Sequence, residues 1–171
     1  RIAELQIEAY KKEFKFKGIH IVRPGNIFGP YSNFNPANSM VVSSLIKRMT
    51  DKENPLKVWG DGTAVRDFIF SEDVAEGMLK VVAKNIQVPV NLGSGKGYSI
   101  KKLVTAIANS KYIENKPKII FDESKPSGDK KRVLDTRRAK KLKVYKISNF
   151  QSSIDKTIDW YLTNKKKTKL R

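Results

Sequence analysis

Two stretches decide the reading of this chain: Arg23-Pro-Gly-Asn-Ile-Phe-Gly-Pro30 and Val58-Trp-Gly-Asp-Gly-Thr-Ala-Val-Arg-Asp-Phe-Ile-Phe70. The first follows Ile19-His-Ile-Val22, a β-branched run with the composition of a buried parallel strand. Such a strand is expected to turn at Pro24-Gly-Asn-Ile27. That turn would present backbone groups at the carboxyl edge of a parallel sheet, where ligands of open α/β sheets bind. The second stretch reads as two short strands, 56–59 and 66–70, around a Gly60-Asp-Gly turn.

Working outward, Ile2, Leu5, Ile7, Ala9 and Phe14 lie amid Glu and Lys, which predicts a moderately amphipathic helix over 1–15, ended by Gly18. Asn38 or Ser39 is placed to cap a helix through about Thr50, with Val42, Leu45, Ile46 and Met49 on one face. Ser71 is placed to start a helix to about Lys84, with Glu72 and Asp73 in its first turn. Strands are expected at 88–92 and 118–121. Ser99 is expected to cap a helix over 100–108, and two further helices are expected near 136–142 and 152–162. Helices and short strands alternate, with no internal repeat and no linker, so one α/β domain or part of a larger one is expected.

The formal charge is +18, from 35 basic against 17 acidic residues, and only eight of the bases are Arg. A basic surface attracts nucleic acid or anionic polymers, so a basic binding module is the alternative reading. A Lys-rich excess spread along a chain reads more simply as a solvated surface, and the interleaved aromatics of single-strand binders are missing. Part of the excess sits in Lys165-Lys-Lys-Thr-Lys169, which reads as a fraying tail. The absence of cysteine excludes disulfides and thiolate metal sites and fits a cytoplasmic enzyme. No metal site is expected. No apolar run approaches the roughly 18–20 residues of a membrane span. The chain opens without Met, and is read as cut from something longer.

Taken together at their spacing, the two stretches resemble the C-terminal half of the extended short-chain dehydrogenase/reductase family, the NAD-dependent epimerase/dehydratases that act on nucleotide-activated sugars. Within it the GDP-L-fucose synthases are the most similar branch. The resemblance runs from Arg1 to about Asn164. It implies an α/β fold: the C-terminal part of a doubly wound NAD(P)-binding Rossmann-type sheet with a small mixed α/β substrate-binding lobe. Residues 1–32 and 60–108 would belong to the last part of the sheet and its helices, 33–59 and 109–150 to the lobe, 151–164 to a C-terminal helix and 165–171 to a basic tail. The resemblance also implies NAD or NADP as cofactor and a nucleoside-diphosphate sugar as substrate, with hydride transfer at C4. It further implies a homodimer of the complete enzyme, built through a helix bundle that includes residues 1–15.

Carried over residue by residue, Pro24, Gly25, Asn26 and Ile27 fall on the cofactor side, with Asn26 between cofactor and substrate. Met40 stands where fucose synthases carry a histidine that contacts the cofactor and donates a proton, and a thioether cannot do the latter. The only histidine, His20, lies in the Ile-rich run and reads as structural. Arg48 and Arg66 match substrate-binding arginines, whose guanidinium groups suit a diphosphate, and Trp59 matches a tryptophan that packs beside the substrate. Ser127 replaces a substrate-contacting aspartate, and Arg132 would add a third cation. Plainer readings are a surface ion pair for Arg48, an ion pair of Arg66 with Asp67 or Asp73, a core position for Trp59 and a solvated charge for Arg132. Gly93-Ser-Gly-Lys-Gly97 has the spacing of neither phosphate-binding glycine motif and reads as scaffold.

No catalytic residue is expected in the chain. The family's Gly-rich loop and Tyr-x-x-x-Lys are not found, and the catalytic lysine would fall immediately before Arg1. Tyr112-Ile-Glu-Asn-Lys116 has the spacing but lies in a late connection. The chain's first partner would therefore be its own N-terminal half, and alone it is expected to be inactive.

Overall fold

Residues 22–28 form one extended run that changes partner halfway along. The computed structural model describes residues 2–35 and 37–168. In it β1 (Val22–Pro24) pairs parallel with β6 (Val90–Leu92), and β2 (Asn26–Phe28) pairs parallel with β5 (Phe68–Phe70). Between them the Gly25 amide donates to the Leu92 carbonyl and the Asn26 amide to the Asp67 carbonyl, each at 2.9 Å. The turn expected at Pro24–Ile27 is thus corrected: the chain stays extended there. Pro24 sits at the end of its strand, where its missing N–H costs little. Gly25 serves a close approach, since a Cβ there would stand 3.1 Å from the Asp67 carbonyl oxygen. The turn comes later, at Gly29 (φ +153°), where Ser32 N–H reaches the Gly29 carbonyl at 3.3 Å. Residues 19–21 are not strand. His20 Nδ1 lies 2.8 Å from the Ile86 carbonyl, which makes that nitrogen the donor.

The remaining elements are α1 (Ile2–Phe14), α2 (Val41–Thr50), β3 (Leu56–Trp59), β4 (Val65–Arg66), α3 (Ser71–Ala83), β7 (Tyr98–Ser99), α4 (Ile100–Ala108), β8 (Ile119–Asp122), β9 (Lys131–Arg132), α5 (Arg137–Lys141) and α6 (Phe150–Thr168). β3 pairs parallel with β8, while β4 runs antiparallel to β7 and parallel to β9. The Gly60-Asp-Gly turn therefore joins two different sheets. Among the described residues β1 is paired on one side only.

The core divides in two. In one part α2, α4 and α6 pack over β3, burying Ile46, Leu56, Leu103, Ile107, Ile154 and Ile158 completely. Burial of each such side chain contributes about 1.5–3 kcal/mol. The sequence arranges this simply: Ile154, Thr157, Ile158 and Tyr161 recur at helical spacing along α6. In the other part α3 and α5 cover β5 and β6 through Ile69, Val74, Val81, Leu92 and Ala139. By contrast, α1 buries nothing, and Ile2, Leu5, Tyr10 and Phe14 are exposed.

Helix ends differ from expectation in three places. Met40, not Asn38 or Ser39, occupies the N-cap of α2, without a side-chain cap, and Ser39 Oγ is buried with no partner among the described residues. Ser71 is the first helical residue of α3 rather than its cap. Helix α6 runs to Thr168, so residues 165–168 of the expected tail are helical, while 169–171 lie outside the described residues. The Ser99 cap forms as expected, its hydroxyl accepting from Lys102 N–H at 3.1 Å. Among the described residues no helix is long and apolar enough to cross a membrane.

Candidate functional site

Arg66 ends β4 and is in register with Tyr98 of β7 and Arg132 of β9, so it is mounted in the middle of a three-stranded sheet. Its Nη1 donates to the Val65 carbonyl at 2.9 Å and the Asp129 carbonyl at 2.6 Å. Among the described residues Nε and Nη2 make no hydrogen bond, which leaves one forked edge of the guanidinium available. The ion pairs considered for Arg66 do not form, because both carboxylates are engaged elsewhere. Asp67 takes Ser94, Gly95 and Leu134, and Asp73 takes the Ser148 amide and hydroxyl at 2.9 and 2.6 Å.

Around this arginine the loop between β8 and β9 folds back over the end of β3. The Gly60 amide donates to the Asp122 carbonyl at 2.9 Å. A Cβ on Gly60 would stand 2.8 Å from that of Ser127. Arg132 is exposed, its Nε 3.7 Å from Asp129 Oδ2. Trp59 is 67% exposed, so it is not a core residue. Trp59, Arg66, Ser127 and Arg132 are thereby brought to one loop cluster.

Of the other residues singled out in the sequence, Arg48 and Asn26 are tied to the elements that carry that cluster. Arg48, in the last turn of α2, binds Glu53 in a fork, Nε to Oε2 at 2.7 Å and Nη2 to Oε1 at 2.5 Å, and also donates to the Lys57 carbonyl of β3 at 2.6 Å. The ion-pair reading of Arg48 is therefore met in this conformation. Met40, at the far end of α2 roughly 12 Å along the axis, is 59% exposed. Asn26 turns its side chain onto the Asp67 carbonyl at 3.0 Å, fastening β2 to the strand behind Arg66. Pro24 and Ile27 are exposed along the same edge.

Sequence reading missed two residues. Asp67 was seen only as a partner for Arg66, yet it is 1% exposed and fixes the Gly93–Gly95 turn, which bears out the scaffold reading of that turn. Its signal was a carboxylate inside an otherwise apolar expected strand, with no basic neighbour to neutralise it except Arg66. Glu53 gave no signal, because its role depends on how α2 ends. On the opposite side, the Arg23 guanidinium pairs with Glu4 and ties α1 to β1. A cavity of about 180 Å³ lined by Arg23, Pro89, Asn91, Asp135 and Arg138 opens beside β6. Among the described residues no cluster of His, Cys, Asp or Glu could hold a metal ion.

Comparison with known proteins shows the family and the fold. The chain is 30% identical to the GDP-L-fucose synthase of Escherichia coli K12, over 96% of its own length and 55% of that protein. It superposes on the UDP-N-acetylglucosamine 4-epimerase of Methanobrevibacter ruminantium, solved with UDP-N-acetylmuramic acid. The TM-score is 0.81 at 22% identity, covering 94% of this chain and 51% of the other. It also superposes on the NADP-bound GDP-L-fucose synthetase of Naegleria fowleri, with TM-score 0.76 at 25% identity, covering 96% and 53%. The chain spans about half the length of the curated relatives it matches. Its fold is the expected one, a mixed α/β arrangement with the parallel strands of Rossmann-type epimerases. The model of the NAD dependent epimerase/dehydratase family matches residues 1–93, and the chain belongs to that family.

Proposed function

We propose that this chain is the substrate-binding half of an NAD(P)-dependent nucleotide-sugar epimerase, reductase or dehydratase, and that the complete protein transfers a hydride at C4 of a nucleoside-diphosphate sugar. The observation that carries this reading is Arg66. Two backbone carbonyls hold one guanidinium nitrogen while the forked edge stays open, beside a second arginine in register. That is a preorganised receptor for a diphosphate. The exposed indole of Trp59 supplies a flat apolar face for base or sugar. The nucleotide sugars in the names of the relatives support the same assignment.

NAD or NADP fits the edge formed by Pro24, Gly25, Asn26 and Ile27. The carboxyl end of β1 is extended there, with exposed apolar Ile27 and Pro24 beside half-buried Asn26, and exposed Met40 offers a further apolar contact. When bound, the cofactor would supply hydride exchange. The residues of this chain bind and orient, and Met40 has no proton to give. The open edge of β1 supports continuation of the parallel sheet by the protein's own N-terminal half, since parallel strands are normally covered on both faces and flanked. The unburied apolar residues of α1 support a homodimer of the complete enzyme. The chain alone would bind without turning over.

The test is calorimetric titration of the complete protein with GDP-, UDP- and dTDP-sugars, followed by an NAD(P)-dependent assay of hydrogen exchange at C4. Failure of every nucleoside-diphosphate sugar to bind would overturn the reading.

A further inference from the structure

We infer that Glu53 is an internal anion that occupies the fork of Arg48 until a substrate phosphate displaces it, and so sets how strongly the site binds an anionic ligand. The inference rests on the proposed diphosphate site and on the match of Arg48 to a substrate-binding arginine that the family resemblance implies.

The geometry follows from how α2 ends. Asp51 is its C-cap and Lys52 adopts φ +62°. Lys52 N–H returns to the Met49 carbonyl at 3.1 Å and Glu53 N–H to the Arg48 carbonyl at 3.0 Å. This is the double bond of a left-handed helix stop. It places the backbone of Glu53 directly over the last turn, against the residue whose side chain its carboxylate then grips by two bonds. The contact is thus built into the backbone and does not depend on a chance meeting of two long side chains.

The two substrate-side arginines consequently differ. Arg66 is held by neutral carbonyls and presents an unfilled edge, whereas the matching edge of Arg48 already carries a carboxylate. Arg48 and Glu53 are 28% and 39% exposed. An ion pair that open to water is weak and exchangeable, unlike a buried one. A diphosphate brings more charge than a carboxylate and the same forked acceptor geometry. The Lys57 carbonyl, bound to Nη2, keeps the guanidinium at β3 while the partner changes. The bond from Arg48 also lowers the pKa of Glu53, so the carboxylate stays charged and competes throughout the neutral range.

The experiment is a double-mutant cycle read by calorimetry on the complete protein, with GDP, UDP and inorganic pyrophosphate as probes. Glu53→Gln keeps the size of the side chain and the backbone stop but removes the charge. It should tighten binding of all three probes about fivefold, the scale of one half-exposed ion pair. In an Arg48→Ala background the same change should have no effect. Weaker binding in Glu53→Gln would make Glu53 a positioner of Arg48, and unchanged binding would make the pair merely structural. Either result overturns the inference. Arg66→Ala separates this from the function itself. If Arg66→Ala weakens binding while Glu53→Gln does not tighten it, the diphosphate site stands and the role of Glu53 falls. If the unaltered protein binds none of the probes, both fall.

Discussion

The carboxylate of Asp67 accepts two hydrogen bonds from Ser94, one from its amide at 2.7 Å and one from its hydroxyl at 2.6 Å. Two more amides, Gly95 and Leu134, complete its shell at 3.2 Å each. The backbone of the same residue binds Asn26 on one side and Arg132 on the other. One buried residue, through its backbone and its side chain together, thus joins β2, the β4–β5 segment, the Gly93–Gly95 turn and β9, beside Arg66 and Arg132. Asp67→Ala would strand three amides and a hydroxyl out of water. A loss of about 3–5 kcal/mol is expected, since each buried unpaired donor costs about 1–3 kcal/mol and the site relaxes in part. Ser94→Ala, which removes the hydroxyl's bonds to Asp67 and Lys96 but leaves the three amides on the carboxylate, should cost less, about 1–2 kcal/mol. Chemical denaturation of the three proteins gives the order directly.

Gly93 packs against that carboxylate. A Cβ there would stand 2.5 Å from Asp67 Oδ2 and 3.1 Å from Leu134 Cβ. Gly93→Ala is expected to destabilise the chain by about 1–3 kcal/mol, as overpacking does. The decisive check is the denaturation midpoint of Gly93→Ala combined with Asp67→Asn. A shared strain at this seam predicts a combined loss smaller than the sum of the two.

Much of the architecture was legible in the sequence because it rests on periodicity. The apolar spacing along α1 and α2 located those helices, Ser99 marked the start of α4, and β3, β5 and β8 fell where β-branched and aromatic residues cluster. The misreadings come from residues whose local preference is overridden by a tertiary partner. Pro24-Gly25 looks like a turn, yet the carbonyls of Leu92 and Asp67 hold it extended. Ser39 looks like a cap, yet the helix begins two residues later. For the candidate site, the strand position of Arg66 beside the Gly60-Asp-Gly turn was legible. The engagement of Arg48 by Glu53 was not, because it depends on a left-handed residue, Lys52, that is not a glycine.

Tyr145 gives the protein an alkaline limit. Its hydroxyl donates to the Gly93 carbonyl at 2.5 Å, and burial pushes its pKa up from the ordinary value of 10.0. Burial raises Tyr98 and Tyr161 in the same direction. A group whose folded pKa lies above its unfolded pKa adds stability that is complete below the unfolded value and disappears as pH rises through the folded value. Stability should therefore hold to about pH 10 and fall above it. Denaturation midpoints against pH, with phenolate absorbance followed in parallel, should show a shallower alkaline fall for Tyr145→Phe.

Arg66 should be the main anchor of the diphosphate. Losing a charge-assisted fork in a partly desolvated site costs about 2–5 kcal/mol of binding. Arg66→Ala should weaken nucleotide-sugar affinity accordingly, with no comparable effect on folding, since the side chain reaches only carbonyls at a loop edge. Arg66→Lys should recover part of the loss, because an ammonium keeps the charge and loses the fork. Equal affinity in Arg66→Ala and the unaltered protein would move the diphosphate elsewhere.

Under the proposed function, Met40 should separate the reactions open to the complete protein. It caps α2 with its backbone alone and exposes its thioether, at the position that the family resemblance matches to a histidine of fucose synthases. Inversion at C3 and C5 needs a proton delivered to a carbanion-like intermediate, and a thioether delivers none. Hydride transfer at C4 makes no such demand on this position. A 4-epimerase, 4-ketoreductase or 4,6-dehydratase is therefore the expected activity. Solvent deuterium exchange on a 4-keto sugar nucleotide checks this: slow incorporation at C3 is expected beside intact chemistry at C4, with C5 alone exchanging in the case of a 4,6-dehydratase. Rapid incorporation at both carbons would mean that another group supplies the proton. Met40→His restores a titratable imidazole near neutrality, and it should raise exchange at C3 and C5 in the complete protein provided the second acid of that reaction is present in the other half.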